Sequence, residues 1–392
     1  MNLYKFSSEL FLALVVITVL VSSILISIPE INLLYSTSSF GQSLQQSQNE
    51  LQSSSNKQVQ QTIADTIDRI SNSFSNSSKI ESNASQTQNA TSLPTFQHKV
   101  SILDNIVSQK VRVGDIDIAY KQIGQGEPIL LISGSGNVMD VWPAYFLEEL
   151  SKDHKVIFFD NRGVGNTTSG TMPFSIEQFA SDTAGFMSAL KLQEIDVLGF
   201  SMGSFVAQKL ALAYPEKVNR LILSGASCGG QEGIPQSPQI VKALSDFVNN
   251  QTEDVNSFLE VTFPINWIKE NPNFLDAIPK SSEIVLSSTL KKQFDINENW
   301  LSKNWTGVCD QLQRLTKPTL IITGMEDKAV PANNSLVLMD KIPGSWLVQI
   351  RDAGHGLMYQ FPETFTRIIE TFLSTTGKNN GEWFLQNYSN MT

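Results

Sequence analysis

Hydrophobic and polar positions divide the chain into stretches of unlike character. Leu10 to Ile28 is a run of 19 residues without a charge, broken only by Thr18, Ser22, Ser23 and Ser27. As a helix rising about 1.5 Å per residue it would extend roughly 28 Å, close to the hydrocarbon thickness of a bilayer. That length favours an anchor that stays in place, with removal as a signal segment as the alternative, since a signal's apolar region is usually shorter and ends at a small-residue cleavage site. Lys5 precedes the run and the next basic residue is Lys57. The positive-charge bias therefore sets residues 1–9 in the cytoplasm and the remainder outside. From Ser36 to Gln97, Ser, Thr, Gln and Asn fill 39 of 62 positions. Such a segment buries too little apolar surface to offset its ordering entropy, so residues 29–98 read as a disordered tether. Within it Val59, Ile63, Ile67, Ile70 and Phe74 recur at helical spacing, which suits a short, fraying helix.

After about residue 99 the pattern becomes that of a folded domain. Eight short apolar runs predict strands, at 110–113, 117–122, 129–132, 155–159, 195–200, 218–224, 319–323 and 346–350. Amphipathic stretches at 176–190, 202–213, 332–341 and 361–374 alternate with the later ones. Strands alternating with helices argue for a mostly parallel sheet covered by helices on both faces, an α/β fold. Residues 229–317 break the rhythm: they hold helical stretches such as 240–249 and 255–263 and no convincing buried strand. They read as a helical cap inserted into a core formed by residues 99–228 and 318–376, with a polar tail at 377–392.

Composition changes this picture in a few places. The 392 residues carry 28 basic and 38 acidic side chains, a net charge of −10. That balance argues against nucleic-acid binding, which needs clustered Lys and Arg. Only 17% of the residues are charged, which the uncharged run and the polar tether together explain. Two cysteines, Cys228 and Cys309, rule out a disulfide scaffold. They either join core to cap in an oxidising compartment or stand as two separate thiols. Nine N-x-S/T sequons, three of them in the tether, agree with an extracytoplasmic position. No phosphate loop, metal-ligand cluster or dinucleotide fingerprint is visible: Gly124-Gln125-Gly126 lacks the third glycine and the helix after it. No cofactor is expected, and nothing in the pattern sets an oligomeric state.

The chemistry concentrates at Ile195-Asp196-Val197-Leu198-Gly199-Phe200-Ser201-Met202-Gly203-Ser204. A buried strand runs into G-x-S-x-G and then into a helix rich in Ala and Leu, the arrangement that exposes a serine on a tight strand-to-helix turn. Glycines stand at −2 and +2 because side chains there would collide across the turn. The amino terminus of the helix favours a developing negative charge. Of the three histidines, His98 falls in the tether and His154 just before a strand. His355, in Asp352-Ala353-Gly354-His355-Gly356, is left as the plausible base.

These residues resemble the α/β-hydrolase superfamily, and the resemblance covers most of residues 110–375. In that superfamily the order is nucleophile, acid, histidine. Leu320 to Pro331 is similar to its acid loop, a strand ending at Gly324 with Asp327 three positions on; Glu326 and Asp352 are the rival carboxylates. The segment around His355 resembles its histidine loop. The resemblance implies Ser201 as nucleophile, His355 as base and Asp327 as the group that orients the histidine. It also implies an oxyanion hole made of the backbone N–H of Met202 and, by position in Ser133-Gly134-Ser135-Gly136, that of Ser135. The superfamily more often has His-Gly where Ser133-Gly134 stands, and some enol-lactone hydrolases share the small residue. Asp160-Asn161-Arg162-Gly163-Val164-Gly165 resembles a D-x-R-G-x-G stretch that fixes nearby loops.

The implied activity is cleavage of an ester, lactone or similar acyl bond of a small molecule through an acyl-enzyme. Epoxide hydrolases and haloalkane dehalogenases carry Asp where Ser201 stands, and prolyl-type aminopeptidases usually show His-Gly-Gly-Pro-Gly. Perhydrolysis, aminopeptidase action and carbon–carbon bond hydrolysis in the same superfamily are the alternatives, as is a surface-tethered binding protein without turnover. Within the cap, Phe258, Phe263, Trp267, Trp300 and Trp305 either line an apolar pocket or bury the cap on the core, the latter being expected for most of them.

Overall fold

The computed structural model describes residues 106–249, 255–276 and 285–375. The anchor expected at 10–28, the tether at 29–98 with its helical spacing, and the tail at 377–392 lie outside these residues. No helix among the described residues is long and apolar enough to cross a membrane.

Eight strands form one sheet: β1 Gln109–Val113, β2 Ile116–Ile123, β3 Glu127–Ile132, β4 His154–Phe159, β5 Ile195–Phe200, β6 Val218–Ser224, β7 Thr319–Gly324 and β8 Trp346–Ile350. Their order is β1-β2-β4-β3-β5-β6-β7-β8. β2 pairs antiparallel with both β1 and β4, and every other pairing is parallel. The eight apolar runs of the sequence correspond to these strands: three coincide with them and the other five differ by one or two residues at one or both ends.

The central strands are buried on both faces, which is why they read as unbroken apolar runs. In β3, Leu130 and Ile132 enter one core and Ile129 and Leu131 the other, as a side-chain period of two requires. One face is covered by α2 Ile176–Ala189 and α3 Met202–Ala213. The other is covered by α1 Ala144–Leu150 and the carboxyl-terminal helix Pro362–Thr375. The seven residues of α1 are too few to establish a period, so the sequence pattern does not announce it. Asp196, the one charge on β5, is buried and accepts from Arg220 Nε at 2.8 Å.

Between β6 and β7 the described residues hold no strand. They form α4 Pro238–Val248, α5 Val255–Thr262, α6 Ile265–Glu270 and α7 Ser287–Leu301. Cys228, just after β6, is joined by a disulfide to Cys309, 81 residues later and shortly before β7. The bond closes the insertion at its base, and Val308 N–H donates to the Cys228 carbonyl beside it at 2.9 Å. A loop of that length gives a chain-entropy contribution of about 4–5 kcal/mol.

Candidate active site

Ser201 stands between β5 and α3 with φ 54° and ψ −124°. A non-glycine residue is strained there by about 1–3 kcal/mol and persists only where its surroundings fix it. Here the Ser201 N–H donates to the Ser224 carbonyl at 2.9 Å, and its own carbonyl accepts from Ser204 N–H at 2.8 Å and Ser204 Oγ at 2.6 Å. The glycine at +2 is explained by contact: a Cβ on Gly203 would lie 2.0 Å from the Ile132 carbonyl oxygen. The helix therefore packs directly on the end of β3, and the serine is pushed out at the carboxyl edge of the sheet. Met202 is the first residue of α3, so its N–H has no intrahelical acceptor.

The other residues singled out from the sequence come from the same edge, where ligands bind in open α/β sheets. Asp327 follows β7 and His355 follows β8. His355 Nδ1 lies 2.8 Å from Asp327 Oδ2, and both residues are buried. The second oxygen, Asp327 Oδ1, accepts from the Val330 N–H at 2.8 Å, which fixes the carboxylate plane. Of the rival carboxylates, Glu326 and Asp352 are both exposed. The imidazole ring packs on Phe200, with ring centroids 4.9 Å apart. With Nδ1 taken up by the carboxylate, Nε2 is the nitrogen left for exchange with a hydroxyl. His154 opens β4 at the opposite end of the sheet, away from this edge.

Ser133 to Gly136 follows β3 and reaches the serine: a Cβ on Gly134 would lie 3.0 Å from Ser201 Cβ. Ser135, Ser201 and His355 line one cavity of about 310 Å³. Its walls are largely apolar, from Phe200 and Phe205 of the core and from Leu244, Val248, Phe258 and Phe294 of the helical insertion. Tyr359 also lines it, but burial pushes its phenol well above the usual tyrosine range and its OH donates to the Val141 carbonyl. It is a fixed neutral wall rather than a base.

The D-x-R-G-x-G stretch holds the surrounding loops. Asp160 Oδ1 accepts from Met139 N–H at 2.6 Å and Oδ2 from Asn166 N–H at 3.0 Å. Arg162 is buried and forks onto Asp182 at 2.7 Å and Asp115 at 2.8 Å. The Arg162 guanidinium in turn holds the Asp115 carboxyl well below the ordinary range. The aromatic residues of the insertion divide between the two readings. Phe258 and Phe263 line the cavity, whereas Trp300 is buried, stacks on Phe205 at 5.2 Å and donates from Nε1 to the Ser227 carbonyl. Trp267 stacks on Phe263 at 5.1 Å, and Trp305 is exposed.

Two residues that the sequence pattern did not single out reach the same loop from α7. Gln293 Oε1 accepts from the Gly136 N–H at 2.7 Å, and Asn297 Nδ2 donates to Ser135 Oγ at 2.6 Å. Their partners lie 157 and 162 residues away, so no local motif could have revealed them.

Comparison with known proteins fits this geometry. The family model for the alpha/beta hydrolase fold matches residues 127–362. Serine hydrolase BPHL of Mus musculus is 26% identical over 278 residues, covering 68% of this chain and 87% of its own length. A solved structure titled alpha/beta hydrolase fold protein, from Chitinophaga pinensis, is 26% identical with a TM-score of 0.59, covering 69% of this chain and 98% of that one. A thermophilic esterase from Thermogutta terrifontis is 25% identical with a TM-score of 0.57, covering 68% and 99%.

Proposed function

Because the chain belongs to the alpha/beta hydrolase family and is a hydrolase of that superfamily, we propose that it cleaves an ester, lactone or related acyl bond of a small molecule through a serine acyl-enzyme. The observation that carries this reading is the hydrogen bond from His355 Nδ1 to Asp327 beside a serine held at positive φ on the same cavity wall. Ser201 Oγ attacks the carbonyl carbon while His355 Nε2 takes the hydroxyl proton. Asp327 holds the tautomer and stabilises the imidazolium. The Met202 and Ser135 N–H groups receive the negative oxygen of the tetrahedral intermediate. Collapse breaks the bond to the leaving alcohol, which departs with the proton from His355. Water then attacks the acyl-enzyme by the same route and releases the acid. The largely apolar walls support an apolar acyl group, and a serine hydrolase and an esterase are among the relatives.

A fluorophosphonate probe tests the reading directly. The wild-type domain is expected to label stoichiometrically at Ser201 and Ser201→Ala to stay unlabelled. A wild-type domain that neither labels nor cleaves 4-nitrophenyl esters would overturn it, leaving a tethered binding protein.

The location proposed for the enzyme is the outer side of a membrane, anchored through residues 10–28 with residues 29–98 as tether. The Cys228–Cys309 disulfide supports this, because such bonds persist in oxidising compartments. In fractionated cells of the source organism the full chain is expected in the membrane pellet after carbonate washing, cleaved by protease added to intact cells. Recovery in the soluble cytoplasm would overturn the assignment.

A further inference from the structure

The helix α7 of the insertion grips the loop that follows β3 at two consecutive residues. Gln293 and Asn297 are four positions apart and so share one helix face. Gln293 Oε1 takes the Gly136 N–H at 2.7 Å, and Asn297 Nδ2 donates to Ser135 Oγ at 2.6 Å. Each amide makes this contact with one end only. Gln293 Nε2 and Asn297 Oδ1 are buried with no hydrogen-bond partner among the described residues. A buried amide with an orphaned end costs more than an apolar side chain of the same shape. Stability alone therefore does not account for two of them side by side; their contacts to the loop do. Helix and loop also meet through Leu290, whose Cδ1 sits 2.4 Å from where a Gly136 Cβ would stand.

We infer that Gln293 and Asn297 are positioning residues: they clamp the Ser135–Gly136 segment so that the Ser135 N–H is aimed at the developing oxyanion. This rests on the hydrolase reading above and on Ser135 as a donor. Gln293 occupies the Gly136 N–H and so fixes the peptide plane next to the one that carries the Ser135 N–H. Asn297 donates to the Ser135 hydroxyl, which in turn donates to Met202 Sδ at 3.2 Å, so the side chain of Ser135 is held from the insertion and from α3 together. The oxyanion hole is thereby built from both core and insertion. Aim matters here because a donor displaced by an ångström loses most of its preference for the tetrahedral state over the planar one.

The test compares a tetrahedral with a planar ligand. Butylboronic acid takes the Ser201 oxygen as the fourth ligand of boron, the hydroxyl proton passing to His355, and sets a B–OH oxygen in the oxyanion position. Pentanamide is its planar counterpart, and 4-nitrophenyl pentanoate the matching substrate. In the full-length protein, Gln293→Met and Asn297→Leu are each expected to lower kcat and the affinity for butylboronic acid about tenfold. KM and inhibition by pentanamide should change less than about twofold. Ser135→Ala removes the loop side of the Asn297 contact and keeps the N–H, so it reports on the clamp even if a helix variant does not fold. Ser135→Ala also removes the hydrogen bond from Ser135 Oγ to Met202 Sδ at 3.2 Å, so the double variant Ser135→Ala/Asn297→Leu should be no weaker than Ser135→Ala alone. Lys292→Met, which loosens the same helix where its ammonium lies 5.0 Å from the Phe174 ring centroid, should leave both inhibitors unaffected. Equal losses for both ligands, additive single effects, or a Lys292→Met loss of the same size would overturn the clamp while leaving the hydrolase intact. A wild-type protein that is inert to both boronate and fluorophosphonate would overturn the hydrolase reading and the clamp with it.

Discussion

Ser201→Ala is expected to lower kcat on a 4-nitrophenyl ester by between about 10³- and 10⁶-fold, with little change in KM. Alanine removes the atom that forms the acyl-enzyme and leaves the cavity, the Met202 and Ser135 N–H groups and the His355–Asp327 pair in place. What survives is the modest acceleration that binding and oxyanion stabilisation give to direct attack by water. Because serine and histidine act as one unit, Ser201→Ala/His355→Ala should be no slower than the worse of the two single variants. The Ser201→Ala protein should also fold as the wild type does, since the backbone bonds to Ser224 and Ser204 are untouched. Steady-state kinetics with a melting curve for each protein checks both parts. A Ser201→Ala protein with a tenth of wild-type activity would mean that another nucleophile performs the reaction.

Asp327→Asn should cost about 10⁴-fold in kcat while the protein folds normally. The argument is one of tautomers. The carboxylate 2.8 Å from His355 Nδ1 accepts a hydrogen bond and so keeps the proton on that nitrogen. Nε2 is then free to take the serine proton. A carboxamide can turn its NH₂ toward Nδ1 instead, because its oxygen is wanted by the Val330 N–H now held by Asp327 Oδ1 at 2.8 Å. The proton moves to Nε2, and the base is disabled without any change of shape. Glu326→Gln and Asp352→Asn serve as comparisons: both side chains are exposed, and activity should stay within about twofold. If Glu326→Gln or Asp352→Asn were the damaging variant, the acid would have been assigned to the wrong residue.

Much of the fold was legible in the sequence because its strands are short and the central ones are buried on both faces, so each appears as an isolated apolar run bounded by polar residues. The helices from Met202 and from Pro362 were readable for a related reason: each is long enough to repeat its apolar face. Ala144–Leu150 was not, because two turns do not establish a period. Of the candidate site, Ser201 was visible through the glycines that its turn requires. His355 was visible because, of the other two histidines, His98 follows a stretch rich in Ser, Gln, Asn and Thr and His154 stands at a strand start. Asp327 could be ranked above its neighbours only by resemblance, and burial separates it from them.

The sequence by itself determined the eight strands and the tight turn at Ser201. Those features rest on local rules, namely side-chain period and steric exclusion within a few residues. Tertiary structure alone decided that Cys228 and Cys309 pair, that Phe258 and Phe263 face the cavity while Trp300 packs inside, and that Gln293 and Asn297 reach the loop at Ser135. The disulfide and the loop contacts join residues 81 to 162 positions apart, and no spacing along the chain encodes which surfaces meet.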